Sequence, residues 1–187
     1  MMDDNWQDVS QLSERDFDVI EVIGVEDLVC FTFEGLKRRL KIHPETLSRT
    51  LIRLVQDQVI KKVDNGYCLT EKGKQLLQRQ DKADVGNEVP VLQSFLPPDF
   101  QSSKLISSLE GKWFGNLRWL GYSKSKDDVT LKWITSDGEI VVSVVLTKGA
   151  FYVYSKTISE GDVSLAINVA YQLMGQVTKL ISKVDHN

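Results

Sequence analysis

The pair Asn65-Gly66 stands between two β-favouring runs, Val59-Ile60-Lys61-Lys62-Val63 and Tyr67-Cys68-Leu69. Both central positions of a type I′ turn need positive φ, and Asn-Gly is the pair that supplies it most readily. A two-residue antiparallel hairpin is therefore expected here, and its neighbours must fit around it. Upstream, Pro44 suits the first turn of a helix expected over 45–57, where Leu47, Leu51, Leu54 and Val55 form one apolar stripe. At 100° per residue, Arg49, Arg53 and Gln56 point the other way, flanked by Glu45 and Thr46. Downstream, Thr70 is placed to cap a further helix carrying Leu76 and Leu77.

Before this block, Ser13 is a natural N-cap for a helix with Phe17, Val19, Ile20 and Ile23 on its apolar side and Gly24 as its stop. Residues 28–33 form a short β-favouring run, and 33–40 a second helix bearing Leu36 and Leu40. The order is helix, strand, helix, turn, helix, hairpin, helix. With Thr46-Leu47-Ser48-Arg49, Leu54, Ile60 and the closing Leu69-Thr70-Glu71-Lys72-Gly73, residues 13–80 resemble the winged helix-turn-helix regulators of the MarR/PadR-like superfamily. The sequence departs from that pattern at Gln58, where those proteins commonly carry glycine.

Charge follows the same division. The chain has 187 residues and a net charge of −3, an average that leans away from nucleic acid. Residues 1–33 hold nine acids and one base, whereas 34–80 hold eleven bases and five acids, a local balance of +6. A basic segment inside an acidic chain points to a polyanion-binding surface. The resemblance implies that helix 45–57 enters the major groove of double-stranded DNA, with Arg49 and Arg53 at base edges and Thr46 and Ser48 on bases or phosphates. Arg38, Arg39 and Lys41, with Lys37, would hold the preceding backbone, and Lys61 and Lys62 the backbone beside the wing. Arg53 is also spaced to pair with Asp57 along its own helix. A non-enzymatic adaptor, whose winged helix binds protein, is the alternative from a different class.

The remaining chain divides at its prolines. Three of the four (Pro90, Pro97, Pro98) fall in 81–103, expected to be a linker too apolar to swing free. Residues 104–110 predict a short helix. Four β-favouring runs follow at 113–122, 129–135, 139–146 and 150–154, with loops short enough for an antiparallel meander. A long helix to about residue 184 carries Val163, Ile167, Ala170, Met174, Val177, Ile181 and Val184 in a 4-3 repeat, with a second stripe of Ala166, Val169, Leu173 and Leu180. Strand alternation groups Phe114, Arg118, Tyr122, Lys132, Tyr152 and Tyr154 as a dimerisation or ligand face, since a regulator of a palindromic site needs a two-fold partner.

The expected fold is α+β: an acidic leader over 1–12, a winged helix over 13–80, the linker, and a dimerisation or effector-sensing domain over 104–187. No phosphate loop, nucleophile elbow or Cys/His pairing points to an enzyme, and the residues suggest no cofactor or metal. Cys30 and Cys68 fall on strands that pair in winged helices. They read as two small, half-buried apolar side chains of a cytoplasmic protein, with oxidation as the rarer reading. No apolar run reaches membrane-spanning length.

Overall fold

The computed structural model describes residues 12–79, 88–96, 102–159 and 163–184; the acidic leader lies outside them. The first helix, α1 (Glu14–Val25), begins at a capping box: the Asp16 N–H meets the Ser13 side chain while the Ser13 N–H donates to the Asp16 carboxylate. It runs one residue past the expected stop at Gly24. Strand β1 (Cys30–Phe31) is only two residues long. Thr32 then caps α2 (Phe33–Leu40), accepting from the Gly35 N–H. A left-handed Lys41 turns the chain into α3 (Pro44–Gln56), which buries Leu47, Thr50, Leu51 and Leu54. The two-residue hairpin forms, but its turn falls one position earlier than expected. Strand β2 (Ile60–Val63) pairs with β3 (Gly66–Leu69) through Val63↔Gly66, so Asp64 and Asn65 make the turn without positive φ and Gly66, at φ +152°, opens β3. Thr70 then caps α4 (Glu71–Arg79).

The turn between α3 and β2 keeps the geometry that glycine would favour without having glycine. Gln58 adopts φ +57° there. A side chain in that conformation costs about 1–2 kcal/mol.

Beyond it lie β4 (Val89–Phe95), α5 (Ser102–Leu109), β5 (Leu117–Lys124), β6 (Val129–Thr135), β7 (Ile140–Thr147), β8 (Ala150–Thr157) and α6 (Val163–Val184). Among the described residues the architecture is mixed α and β: six helices and one eight-stranded antiparallel sheet in the order β2-β3-β1-β5-β6-β7-β8-β4. Two features depart from expectation. The strands β5 to β8 pair in succession, but as the middle of a larger sheet, because β1 pairs with β5 through Cys30↔Tyr122 and Phe31↔Gly121. Part of the expected linker is itself strand, with β4 lying antiparallel on β8. Its alternating apolar residues, Val89, Val91 and Leu92 among them, need a surface to cover, and the edge of β8 provides one.

Each face of the sheet carries helices. On one face α5 and α6 cover Leu131, Trp133, Val142, Val144 and Val153, with Leu105, Leu109, Ala170, Leu173 and Val177 filling the layer between. Helix α6 turns Ala166, Val169 and Leu173 inward, while Val163, Leu165 and Tyr171 are exposed. The side chains of Leu180, Ile181 and Val184 lie outside the described residues. On the opposite face α1, α2 and α3 pack Val19, Ile20, Ile23, Leu36, Leu47 and Leu51 against Leu120, Ile134 and Val141. Strand alternation makes this double coverage possible, since β5, β6 and β7 each give apolar residues to both cores. Trp119 enters one core and its neighbour Leu120 the other by ordinary alternation, and the slip in pairing with β6 between Trp119 and Gly121 then returns Tyr122 to the Trp119 side. Gly121 is required at the seam, since a Cβ there would stand 2.2 Å from the Cys30 carbonyl oxygen.

Candidate nucleic-acid interface and the adjoining groove

The basic segment is less free than its composition suggests. Arg53 turns back toward α1, donating to the buried carboxylate of Asp16 at 2.6 Å and to Ser13 and Thr50. Burial alone would raise the Asp16 pKa, but the bonds from Arg53 and Ser13 outweigh it and hold the carboxyl below its ordinary value. The partner is thus Asp16 on another helix, and the expected Asp57 contributes only an attraction through space. Arg39 reaches Glu26 at 2.7 Å, and Arg38 and Lys37 both bind Glu34. Lys41 pairs with Glu139 in the β6–β7 turn.

Besides Lys41, exposed in its pair with Glu139, three described candidate cations face outward. Arg49 is 71% exposed and pairs with Glu45 one turn earlier, a contact weak in water. Lys61 and Lys62 on β2 are exposed and make no ion pair with a described residue. Thr46 and Ser48 are half-buried at the start of α3, and Ile52 and Gln56 complete its solvent side. The fold therefore leaves Thr46, Ser48 and Arg49 on α3 and Lys61 and Lys62 on β2 at the surface, and ties Arg39 and Arg53 to the buried carboxylates of Glu26 and Asp16.

The aromatic and cationic set from the second half does not form one face. Lys132, Tyr152 and Tyr154 lie on the side of α1–α3, with the two tyrosine rings stacked at 6.4 Å. Phe114 and Tyr122 pack on the α5–α6 core. Arg118 lies over the Trp113 ring at 4.7 Å. The slip in β5 accounts for Tyr122, which alternation counted across it assigns to the wrong side, while Phe114 precedes the strand and is separated from it by the turn at Gly115.

Lys132 belongs instead to a buried ion cluster. Glu26, at the C-terminal end of α1, is 0% exposed and accepts from Arg39 and, at 2.9 Å, from Lys156 on β8. The Lys132 ammonium stands 3.7 Å from both Glu26 and Glu88. Burial pushes the Glu26 carboxyl up. The charges of Lys156 and Lys132 and the bonds from Lys156 and Arg39 more than reverse this, so it lies below its ordinary value. Burial lowers the Lys156 ammonium despite Glu26 beside it. Sequence reading missed Glu26, Asp16 and Lys156. A cation between large apolar residues, as in Leu131-Lys132-Trp133, was the one visible hint of a buried partner.

Between the hairpin and the start of β5 lies a groove of about 970 Å³. Trp113, Arg118, Tyr122, Lys62, Cys30 and Cys68 contribute to its walls. The two cysteines face each other in register across β1 and β3 and are joined as a disulfide, which corrects the expectation of two separate thiols. The winged-helix resemblance implies that their strands pair, and the rarer of the two readings, oxidation, is the one the fold realises. Among the described residues no group of three or more His, Cys, Asp or Glu could hold a metal ion, and no helix is long and apolar enough to cross a membrane.

No family model matches this chain, and neither a curated protein nor a solved structure does.

Proposed function

We propose that the chain is a winged-helix regulator that binds double-stranded DNA, with α3 in the major groove and the β2–β3 hairpin on the flanking backbone. The observation that carries this reading is the pair Lys61 and Lys62, exposed and without an ion pair among the described residues, on a hairpin that follows α3 directly, whose solvent side shows Arg49, Ser48 and Thr46. Arg49 is free to trade its exposed carboxylate for a guanine edge, because an exposed ion pair contributes little. Arg39 and Arg53 have structural roles in this reading and are withdrawn from direct contact. Duplex binding measured against salt tests it. Arg49→Ala, Lys61→Ala and Lys62→Ala together should weaken binding by about 10–1,000-fold and flatten its salt dependence. Wild-type protein that ignores duplex DNA at low salt would sink the proposal.

A two-fold partner fits the far edge of the sheet. The edge strand β2 is four residues long and guarded by Lys61 and Lys62, whereas β4 has seven residues, no charged side chain and Phe95 79% exposed. Beyond the irregularity at Val91, residues 92–95 offer an edge that an identical strand can extend antiparallel. Sedimentation showing monomer throughout the micromolar range would exclude this dimer.

One observation favours a second reading. Ile52 is 54% exposed in the middle of α3, and Glu45 offsets Arg49 beside it. Such a surface suits a protein partner, as in a non-enzymatic adaptor, and the salt titration separates the two.

A further inference from the structure

We infer that the Cys30–Cys68 bond is a site of thiol–disulfide exchange that takes a dithiol reductant through the groove and thereby sets how firmly the β2–β3 hairpin is held. Three observations converge on it. First, both cysteines are half-buried, not sealed, and both contribute to the wall of a groove wide enough for an attacking sulfur. Second, the bond lies at the narrowest point of the sheet. In the described sheet β1 stands between the hairpin and β5, and it pairs with β3 through two residue pairs, Cys30↔Cys68 and Phe31↔Tyr67, with one further bond from the Leu69 N–H to the Val29 carbonyl. One of those two pairs is the covalent bond. The other is a ring stack at 6.1 Å. Third, Lys61 stands directly opposite Cys68 in the β2–β3 register, so its side chain shares the face of the sulfur, and it pairs with no carboxylate among the described residues. A neighbouring ammonium stabilises a thiolate and improves it as a leaving group.

The exchange balances as follows. A thiolate of the dithiol attacks the Cys30 sulfur, the Cys30–Cys68 bond breaks, and Cys68 leaves as a thiolate beside Lys61. The second thiol of the reductant then attacks the mixed disulfide and releases Cys30. Two electrons and two protons pass from the dithiol to the cysteine pair, and the reductant departs as a disulfide. The hairpin is then held to β1 by the Phe31–Tyr67 pair and the backbone bonds around it. Its tip, with Lys62 and Val63, is farthest from the buried anchors Ile60 and Leu69 and loosens most. The consequence for DNA rests on the winged-helix reading above; the exchange and the loosening do not.

The test uses the full chain in its folded form with dithiothreitol as the dithiol. Thiol titration should rise from none to two per chain while α6 keeps its hydrogen-exchange protection. Amide exchange at 61–67 should accelerate on the order of tenfold. Lys61→Gln should slow reduction severalfold, since only the leaving-group charge changes. Cys68→Ser should reproduce the fast-exchanging hairpin without reductant, and if it fails to fold, the Lys61→Gln rate still decides. A bond that resists dithiothreitol until the protein unfolds overturns the inference, as does a hairpin whose exchange is identical in both forms. Reduction that loosens the hairpin in a protein binding no duplex in either form would uphold the exchange site and refute the DNA reading. Weaker duplex binding by the reduced form upholds both.

Discussion

The two faces of the sheet are built on different physics. Under α5 and α6 the layer holds no buried charge among the described residues: Trp119 and Trp133 meet edge to face at 5.1 Å, and the Ser155 hydroxyl donates to the Ala166 carbonyl of α6. Under α1–α3 the apolar residues surround buried ions, Glu26 with Arg39, Lys132 and Lys156, and Asp16 with Arg53. Apolar contact is non-directional, so the first face tolerates any packing of the right volume. A buried carboxylate needs its partners at fixed positions, so the second face accepts one docking of the helices. The polar face is the one that positions α3 and the hairpin.

The strongest way to break this contrast is a pair of volume-preserving changes. Leu131→Met on the apolar face should cost under about 1.5 kcal/mol. Glu26→Gln on the other, equally conservative in shape, leaves three cations facing a neutral amide and should cost about 3–5 kcal/mol. Adding Lys156→Met to Glu26→Met should recover part of that loss. Equal costs for the two single changes, read from denaturant unfolding, would show that the ion cluster contributes nothing particular to the fold.

Acid should divide the faces next. Asp16 and Glu26 both have folded-state pKa values below their ordinary 3.8 and 4.5, so near those values the unfolded chain binds more protons than the folded one. Their contribution is complete above the ordinary carboxylate range. It is lost as pH falls through that range and below it. Hydrogen exchange should therefore open in α1 and α3 at a higher pH than in α6, and simultaneous loss would mean the ions are incidental. The smallest effect concerns the strained turn beside the hairpin. Gln58→Gly should stabilise the protein by about 1 kcal/mol, because glycine takes φ +57° without penalty. A destabilised variant would show that the Gln58 side chain has a role of its own.

The contrast also explains which parts were legible in the sequence. Helix α3, the hairpin and the Thr70 cap announce themselves through spacing and turn chemistry within a dozen residues. The four runs of the second half did so by alternation. Pairing of β1 with β5 has no local signature, because it joins residues some ninety positions apart. The same holds for Arg39 and Arg53. A surface arginine and one that turns inward look alike along a helix, and only the placement of Glu26 and Asp16 separates them. Strand β4 was hidden for another reason: Pro90 reads as a breaker, yet an edge strand tolerates proline because its outer side needs no donor.

The two-residue strand β1 also sets a schedule for synthesis. The first eighty residues contain every helix of one layer but not the floor they rest on, since Leu120, Ile134 and Val141 come later in the chain. As the nascent chain emerges, α1–α3 must wait with an apolar underside open until β5 to β7 have left the ribosome. Closing so long a loop is an entropic delay that local helices do not face. The half of the protein that reads most clearly from its sequence is thus the half that cannot finish folding first, and in the cell it is the part most exposed to chaperones.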